Sequence, residues 1–169
     1  ARAYQTIRQD LEIAQQVQHA LLPKQFPDML AQLDLAVHHK QLTEVGGDYY
    51  DFFRTRDGHY AIGMFDISGH GVSAALIMAF LKAQFMQTME QAARPKEIVE
   101  WVNQASLGFL REVRRYSTVN FVVFGERAIR YVCGGGYGVL VRGGEIYTFS
   151  KGDPFIGLRR RPYTEFELS

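Results

Sequence analysis

The sequence has one cysteine, Cys133, so it forms no internal disulfide and suits a reducing compartment. It also lacks a surplus of charge. Lys and Arg number 19 against 18 Asp and Glu, a net charge of +1, which leaves no electrostatic case for a nucleic-acid partner or an acidic membrane surface. Long apolar runs are absent too: the longest, Val72 to Phe80, includes Ser73 and falls well short of the roughly 20 residues a spanning helix needs. Ala1 to Asp10 is polar and mixed in charge, unlike a signal peptide. No internal repeat or low-complexity linker interrupts the chain. These absences give no case for membrane insertion and make the cytoplasm the expected location. What remains is an ordinary globular composition, 47% hydrophobic and 22% charged over 169 residues, long enough for one domain with a real core.

Residues 1–22 read as a helix. Tyr4, Ile7, Leu11, Ala14, Gln18 and Leu21 recur at spacings of three and four, an a/d seam about three heptads long in which Gln18 is the polar member that sets register. The stripe fits either a dimer seam or a helix packed on its own domain, with Ile13 and Val17 widening the buried face. Pro23 ends the helix. Leu33 to His39 reads as a first strand in which His38 and His39 face opposite sides and share no metal. Asp57-Gly58 predicts a hairpin turn between strands at Tyr49–Arg56 and His59–Ile67. Val72 to Gln91 predicts a largely buried helix, and Pro95 opens a second helix running to about Leu110. Four short strands follow, at Thr118–Phe124, Ala128–Cys133, Gly138–Arg142 and Glu145–Phe149. Strands, two helices, then strands imply an α+β fold with antiparallel sheets rather than a doubly wound parallel one.

Two carboxylates stand out. Asp48 opens one arm of the hairpin and Asp66 closes the other, so antiparallel pairing brings them together. Two acids at one end of a hairpin repel unless a cation lies between them, and hard oxygen ligands suit Mg²⁺ or Mn²⁺. The flanking glycines let a ligand approach the backbone. The competing reading makes both aspartates turn and cap residues, common for aspartate beside glycine.

GGDYYDFF, followed after a hairpin by DISGHGVSAALIMA, resembles the signature of the SpoIIE/RsbU branch of the metal-dependent (PPM) serine/threonine protein phosphatases. The leading LEIAQQVQHALLP, the helix after Pro95 and the strands from Ser117 on are similar to that branch as well. The resemblance implies an antiparallel β-sandwich flanked by helices, with a linker helix at 1–22 and a phosphatase domain at 23–169. It implies two divalent ions, Mn²⁺ or Mg²⁺, activating water for in-line attack on a phosphoryl group. By position Asp66 matches the bridging aspartate, the Ile67 backbone carbonyl is a further ligand, and Asp48 holds the second ion. Gly47 gives backbone room. Gly69 and His70 fall in the family's glycine-histidine-glycine turn, where His70 is either a group acting at the site or a helix-start hydrogen-bonding residue. The implied substrate is a phosphorylated anti-sigma-factor antagonist in a partner-switching circuit under stress. The implied partners are an upstream sensor domain and a second copy of the chain bound through residues 1–22.

The chain also departs from that pattern. The family's later metal aspartates have no match, since the only aspartate after Asp66 is Asp153, in Lys151-Gly152-Asp153-Pro154. The phosphatase domain is therefore expected either to stop short of its C-terminal end or to have degenerated. In Cys133-Gly134-Gly135-Gly136-Tyr137-Gly138 a glycine stands where relatives carry a histidine. A pseudophosphatase that docks a regulator without turnover is the rival function. Arg159, Arg160 and Arg161 read either as a solvated loop or as a contact for an acidic or phosphorylated protein.

Overall fold

The computed structural model describes residues 2–28, 33–40, 45–150 and 152–169. The first element is helix α1, Arg2–Leu21. A hairpin of β1, Asp48–Arg54, and β2, Tyr60–Asp66, comes next. The helices α2, Gly71–Met89, and α3, Pro95–Glu112, follow it. The strands β3, Val119–Phe124, β4, Ile129–Gly134, β5, Gly138–Arg142, β6, Glu145–Phe149, and β7, Glu165–Leu168, complete the chain. Five strands form an antiparallel sheet in the order β1-β2-β3-β4-β7, and β5-β6 form a separate hairpin. The α+β expectation holds, with antiparallel pairing throughout.

The hairpin turns as Asp57-Gly58 predicts: Gly58 takes φ +88, which a side chain would resist, and the Thr55 N–H donates to the His59 carbonyl at 2.8 Å. Alternation along β1 sends Tyr49, Asp51 and Phe53 inward toward the helices, while Asp48 and Arg54 stay exposed at the strand's ends. Phe53, Phe65, Phe85 and Phe121 meet there with ring centroids 4.6–5.8 Å apart, a cluster joining the sheet to α2. Pro95 occupies the first turn of α3, where its missing N–H leaves no broken bond.

Two sequence expectations are corrected and one strand is added. Residues 33–40 form no strand; 35–39 lie along the outer side of the β1-β2 hairpin instead. The apolar composition of α2 suggests burial on most faces, yet Val72, Leu76 and Met86 are exposed and only one side, including Ala74, Met78, Leu81 and Phe85, is in the core. This helix is long and apolar enough by composition to cross a membrane, and here it serves as a core helix. Finally, β7 adds to the sheet beside β4 from a four-residue alternation, Glu165-Phe166-Glu167-Leu168, too short to stand out in the sequence.

The two halves of α1 differ. Leu21 and Leu22 pack against the core, and Gln18 is buried at 2% exposure. Tyr4 and Ile7 are 73% and 60% exposed, and Ile13 and Val17, which only the own-domain reading adds to the buried face, are exposed as well.

Candidate metal and phosphoryl site

The register of β1 and β2 places Asp48 directly opposite Asp66. Facing residues of an antiparallel pair hold their Cβ atoms about 4.5–5.5 Å apart, so the two carboxyl groups meet on one face of the sheet. Asp66 is raised above the ordinary carboxylate range, first by burial and then by the charge of Asp48 and a hydrogen bond with it. No Lys, Arg or His among the described residues forms an ion pair with either acid.

The backbone around the pair is held tightly. The Thr118 N–H donates to the Asp66 carbonyl, and the Asp66 N–H donates to the Thr118 hydroxyl, both at 2.9 Å. A Cβ at Gly47 would stand 2.6 Å from the Ile67 carbonyl oxygen, so only glycine permits this approach. That carbonyl accepts no hydrogen bond among the described residues. One residue earlier, the Gln18 amide holds both polar groups of Gly46: its Nε2 donates to the Gly46 carbonyl at 2.5 Å, and its Oε1 accepts from the Gly46 N–H at 3.1 Å. The amide of α1 thus pins the segment that presents Asp48.

Gly69, at φ +98, and Gly71, at φ +72, carry the turn from β2 into α2. His70 lies between them in extended conformation as the N-cap residue, and its exposed side chain makes no capping hydrogen bond, so the helix-start role is not the one it plays.

A cavity of about 440 Å³ opens beside the two acids, lined by Tyr50, Met64, Thr118, Asn120 and the segment from Leu35 to His39. His38 and His39 both reach it, contrary to the opposite-facing strand geometry expected for them. The His39 ring meets Tyr50 edge-on at 5.8 Å, and its buried Nε2 has no hydrogen-bond partner among the described residues. Gly136 abuts Asn120 of the cavity lining: a Cβ there would stand 2.9 Å from Asn120 Nδ2, and the Tyr131 hydroxyl donates to Asn120 Oδ1.

The sequence-derived site residues therefore divide. Asp48, Asp66, the Ile67 carbonyl and Gly47 come together, and Gly69 and His70 form the turn beyond them. Gln18, His39, Thr118 and Asn120 were missed as site residues. Gln18 carries a signal in retrospect, as the one polar residue of the α1 stripe. Thr118 and Asn120 are legible only once β3 is paired with β2.

Uncompensated oxygen donors, a close glycine and a free carbonyl suit a hard divalent cation. The described residues hold no group of three or more His, Cys, Asp or Glu that would enclose one.

Residues 56–169 match the family model described as Stage II sporulation protein E (SpoIIE). Two proteins of Bacillus subtilis (strain 168) are similar to the chain. The phosphoserine phosphatase RsbP is 25% identical over 118 residues, covering 68% of this chain and 29% of that protein. The phosphoserine phosphatase RsbU is 30% identical over 100 residues, covering 59% and 29%. The chain thus spans less than a third of either relative. Among solved structures, the SiaA-PP2C domain of Pseudomonas aeruginosa superposes with a TM-score of 0.74 at 22% identity, covering 98% of this chain and 68% of that one. The PP2C phosphatase domain of SpoIIE from Bacillus subtilis, solved with a fragment of its regulatory domain, gives 0.58 at 17% identity, covering 73% and 37%. These structures share the fold.

Proposed function

The chain belongs to the SpoIIE family, and on that premise we propose that it removes phosphate from phosphoserine or phosphothreonine on a protein partner. The observation that carries this reading is the Asp48–Asp66 pair, two carboxylates facing each other without a protein cation. Asp66, the Ile67 carbonyl and Asp48 would hold the divalent ions, with Asp66 as the shared ligand and Asp48 on the second ion. Mn²⁺ or Mg²⁺ supplies Lewis-acid activation of water and neutralises phosphoryl charge. The chain's own residues hold that arrangement: Thr118 fixes the backbone of Asp66, Gly47 admits the Ile67 carbonyl, and Gln18 fixes the approach to Asp48. The cavity lined by Tyr50 and Met64 opens on the same face.

The substrate we assign is a phosphorylated anti-sigma-factor antagonist in cytoplasmic partner switching, supported by the similarity to two phosphoserine phosphatases. Residues 1–22 are assigned as a link to an upstream sensor domain and as a seam for a second copy, supported by the exposure of Tyr4 and Ile7. Sedimentation with and without residues 1–22 tests the seam. Two monomeric forms at high concentration, the shorter one less stable, would place the helix in its own domain's core.

Hydrolysis of a phosphoserine peptide under Mn²⁺ titration tests the function: if the domain is active, Asp66→Ala is expected to abolish turnover and Asp48→Ala to weaken mainly the second ion. Unchanged activity in Asp66→Ala refutes the metal assignment. A second reading, docking without turnover, is favoured by the small ligand set: two carboxylates and one carbonyl leave much of a divalent ion's shell to water. Under either reading, the 169 residues alone are expected to bind metal weakly and turn over slowly or not at all. Robust Mn²⁺-dependent activity would show that the ligands are misplaced.

A further inference from the structure

Six arginines lie along α3 and just beyond its C-terminal end. Arg111 lies in its last turn, and Arg114 and Arg115 follow it. Arg159, Arg160 and Arg161 belong to a loop fastened along the same helix. The Asn103 amide donates to the Arg159 carbonyl at 2.9 Å, its Oδ1 accepts from the Gly157 N–H at 2.9 Å, and Arg111 Nη2 donates to the Leu158 carbonyl at 3.0 Å. A bridge between Ser117 and Ile156 holds the two segments in register.

Among the described residues several other cations of the fold are ion-paired, while Arg54, Arg56, Arg127 and Arg142 are not. Arg8 pairs with Glu12, Lys82 with Asp51, Arg94 with Glu165, and Arg130 with Glu165 and Glu167. Among the described residues none of the six forms an ion pair. Glu112 falls within the same stretch and pairs with none of them either. Since the whole chain carries only +1, the cluster is a local accumulation and not a general basicity.

The cluster reaches the turn after Asp66. The Ser68 N–H donates to the Tyr116 carbonyl at 2.8 Å, and the Tyr116 N–H donates to the Ser68 hydroxyl at 2.9 Å, next to the Asp66–Thr118 bonds. This ladder brings Arg115 to Gly69. The guanidinium lies so close that a Cβ at Gly69 would stand 3.1 Å from its Cζ. One end of the arginine face therefore lies between Asp66 and His70, and the other at the exposed 159–161 loop.

We infer that this face docks acidic residues flanking the phosphorylated residue of a protein substrate, with Arg115 nearest the phosphoryl end. The inference rests on the phosphatase reading above and adds the chemistry of the partner. Guanidinium groups bind carboxylate and phosphate through paired N–H donors, and a surface of one sign steers the encounter. Continuity with the Asp66 turn selects a phosphoprotein over a membrane, because a flat anionic surface has no use for that turn.

The test compares two phosphoserine peptides, one flanked by Glu and one by Lys, in the full chain and in a variant carrying Arg114→Glu, Arg159→Glu and Arg160→Glu. All three positions are exposed, so thermal melting is expected to match the wild type. The wild type is expected to favour the acidic peptide in kcat/KM, more so at low salt. In the variant that preference is expected to fall about tenfold, the effect of a few exposed charge contacts together. Equal use of the two peptides by the wild type, or an unchanged preference in the variant, overturns the docking face. Hydrolysis of p-nitrophenyl phosphate by the wild type with Mn²⁺ checks the phosphatase reading separately. If that fails, fluorescence anisotropy of the acidic peptide still decides: salt-sensitive binding lost in the variant upholds the face, and no binding overturns it. Phosphatidylserine vesicles that compete with the peptide at equal charge would also overturn the protein-partner assignment.

Discussion

Asp48 and Asp51 lie three residues apart on β1, and the pleat sends their side chains to opposite faces of the sheet. On the helix side, Asp51 is buried and fully partnered. It accepts from Lys82 Nζ, from the Tyr49 hydroxyl and, at 2.9 Å, from the Phe52 N–H. Lys82 also lies over the Tyr49 ring, 5.6 Å from its centroid. The Tyr49 hydroxyl is held protonated, first by burial and then by the adjacent Asp51 charge. Across the sheet, Asp48 meets another acid. The contrast separates two uses of one residue type: a buried carboxylate with every valence answered ties strand to helix, whereas an unanswered pair stores repulsion that a cation relieves. Counter-charge, rather than the aspartate itself, distinguishes the candidate site from the scaffold.

The largest effect that would sharpen this contrast is on activity. Whatever Mn²⁺-dependent phosphopeptide hydrolysis the protein supports is expected to fall by more than about a hundredfold in Asp66→Ala, because loss of a direct ligand should exceed the 10–100-fold typical of outer-shell partners. Its metal-free melting temperature should hold or rise, since one of two repelling charges is gone. A lower melting temperature would break the comparison by making Asp66 a scaffold residue.

Next is the scaffold aspartate. Lys82→Ala strands the Asp51 charge and is expected to lower unfolding free energy by about 3–5 kcal/mol in urea titration. Combining Asp51→Asn with Lys82→Met should recover most of that loss. Phe85→Ala, in the aromatic cluster beside this pair, is expected to cost about 3–5 kcal/mol with no change in the metal dependence of the folded fraction. The smallest effect belongs to Gln18→Ala, about 1–3 kcal/mol for two unmet groups on Gly46. It should also weaken Mn²⁺ affinity, because the freed backbone leads to Asp48. Stability loss without any metal effect would separate α1 from the site.

Much of this arrangement was legible in the sequence where a local rule governs it. The Asp57-Gly58 turn fixes the hairpin, the hairpin fixes the register, and the register brings Asp48 to Asp66. The motif assigns Gly47 to backbone room, and the close approach of Ile67 gives that room its cause. What stayed illegible depends on contacts distant in sequence. Residues 33–39 alternate like a strand but find no strand partner. Thr118 and Asn120 enter the site only through pairing with β2. Ile13 and Val17 extend an apolar stripe without being buried, because they lie off the docked face of α1, on which Leu11, Ala14 and Leu21 are half-buried and Gln18 is buried. The arginine face joins residues more than forty positions apart, so a scan for local charge runs shows half of it.

The Gln18 clamp gives α1 unequal arms. Gln18 stands three residues from Leu21, where the helix meets the core, and fourteen from Tyr4 in the exposed part. At about 1.5 Å per residue these distances are roughly 4.5 Å and 21 Å. A helix pivoting at its docked end would move Tyr4 more than five times as far as it moves the amide gripping Gly46. Run in that direction, the helix is a reducing gear: a coarse swing at the exposed tip becomes a sub-ångström adjustment two residues from Asp48, the scale on which oxygen ligands discriminate between holding and releasing an ion.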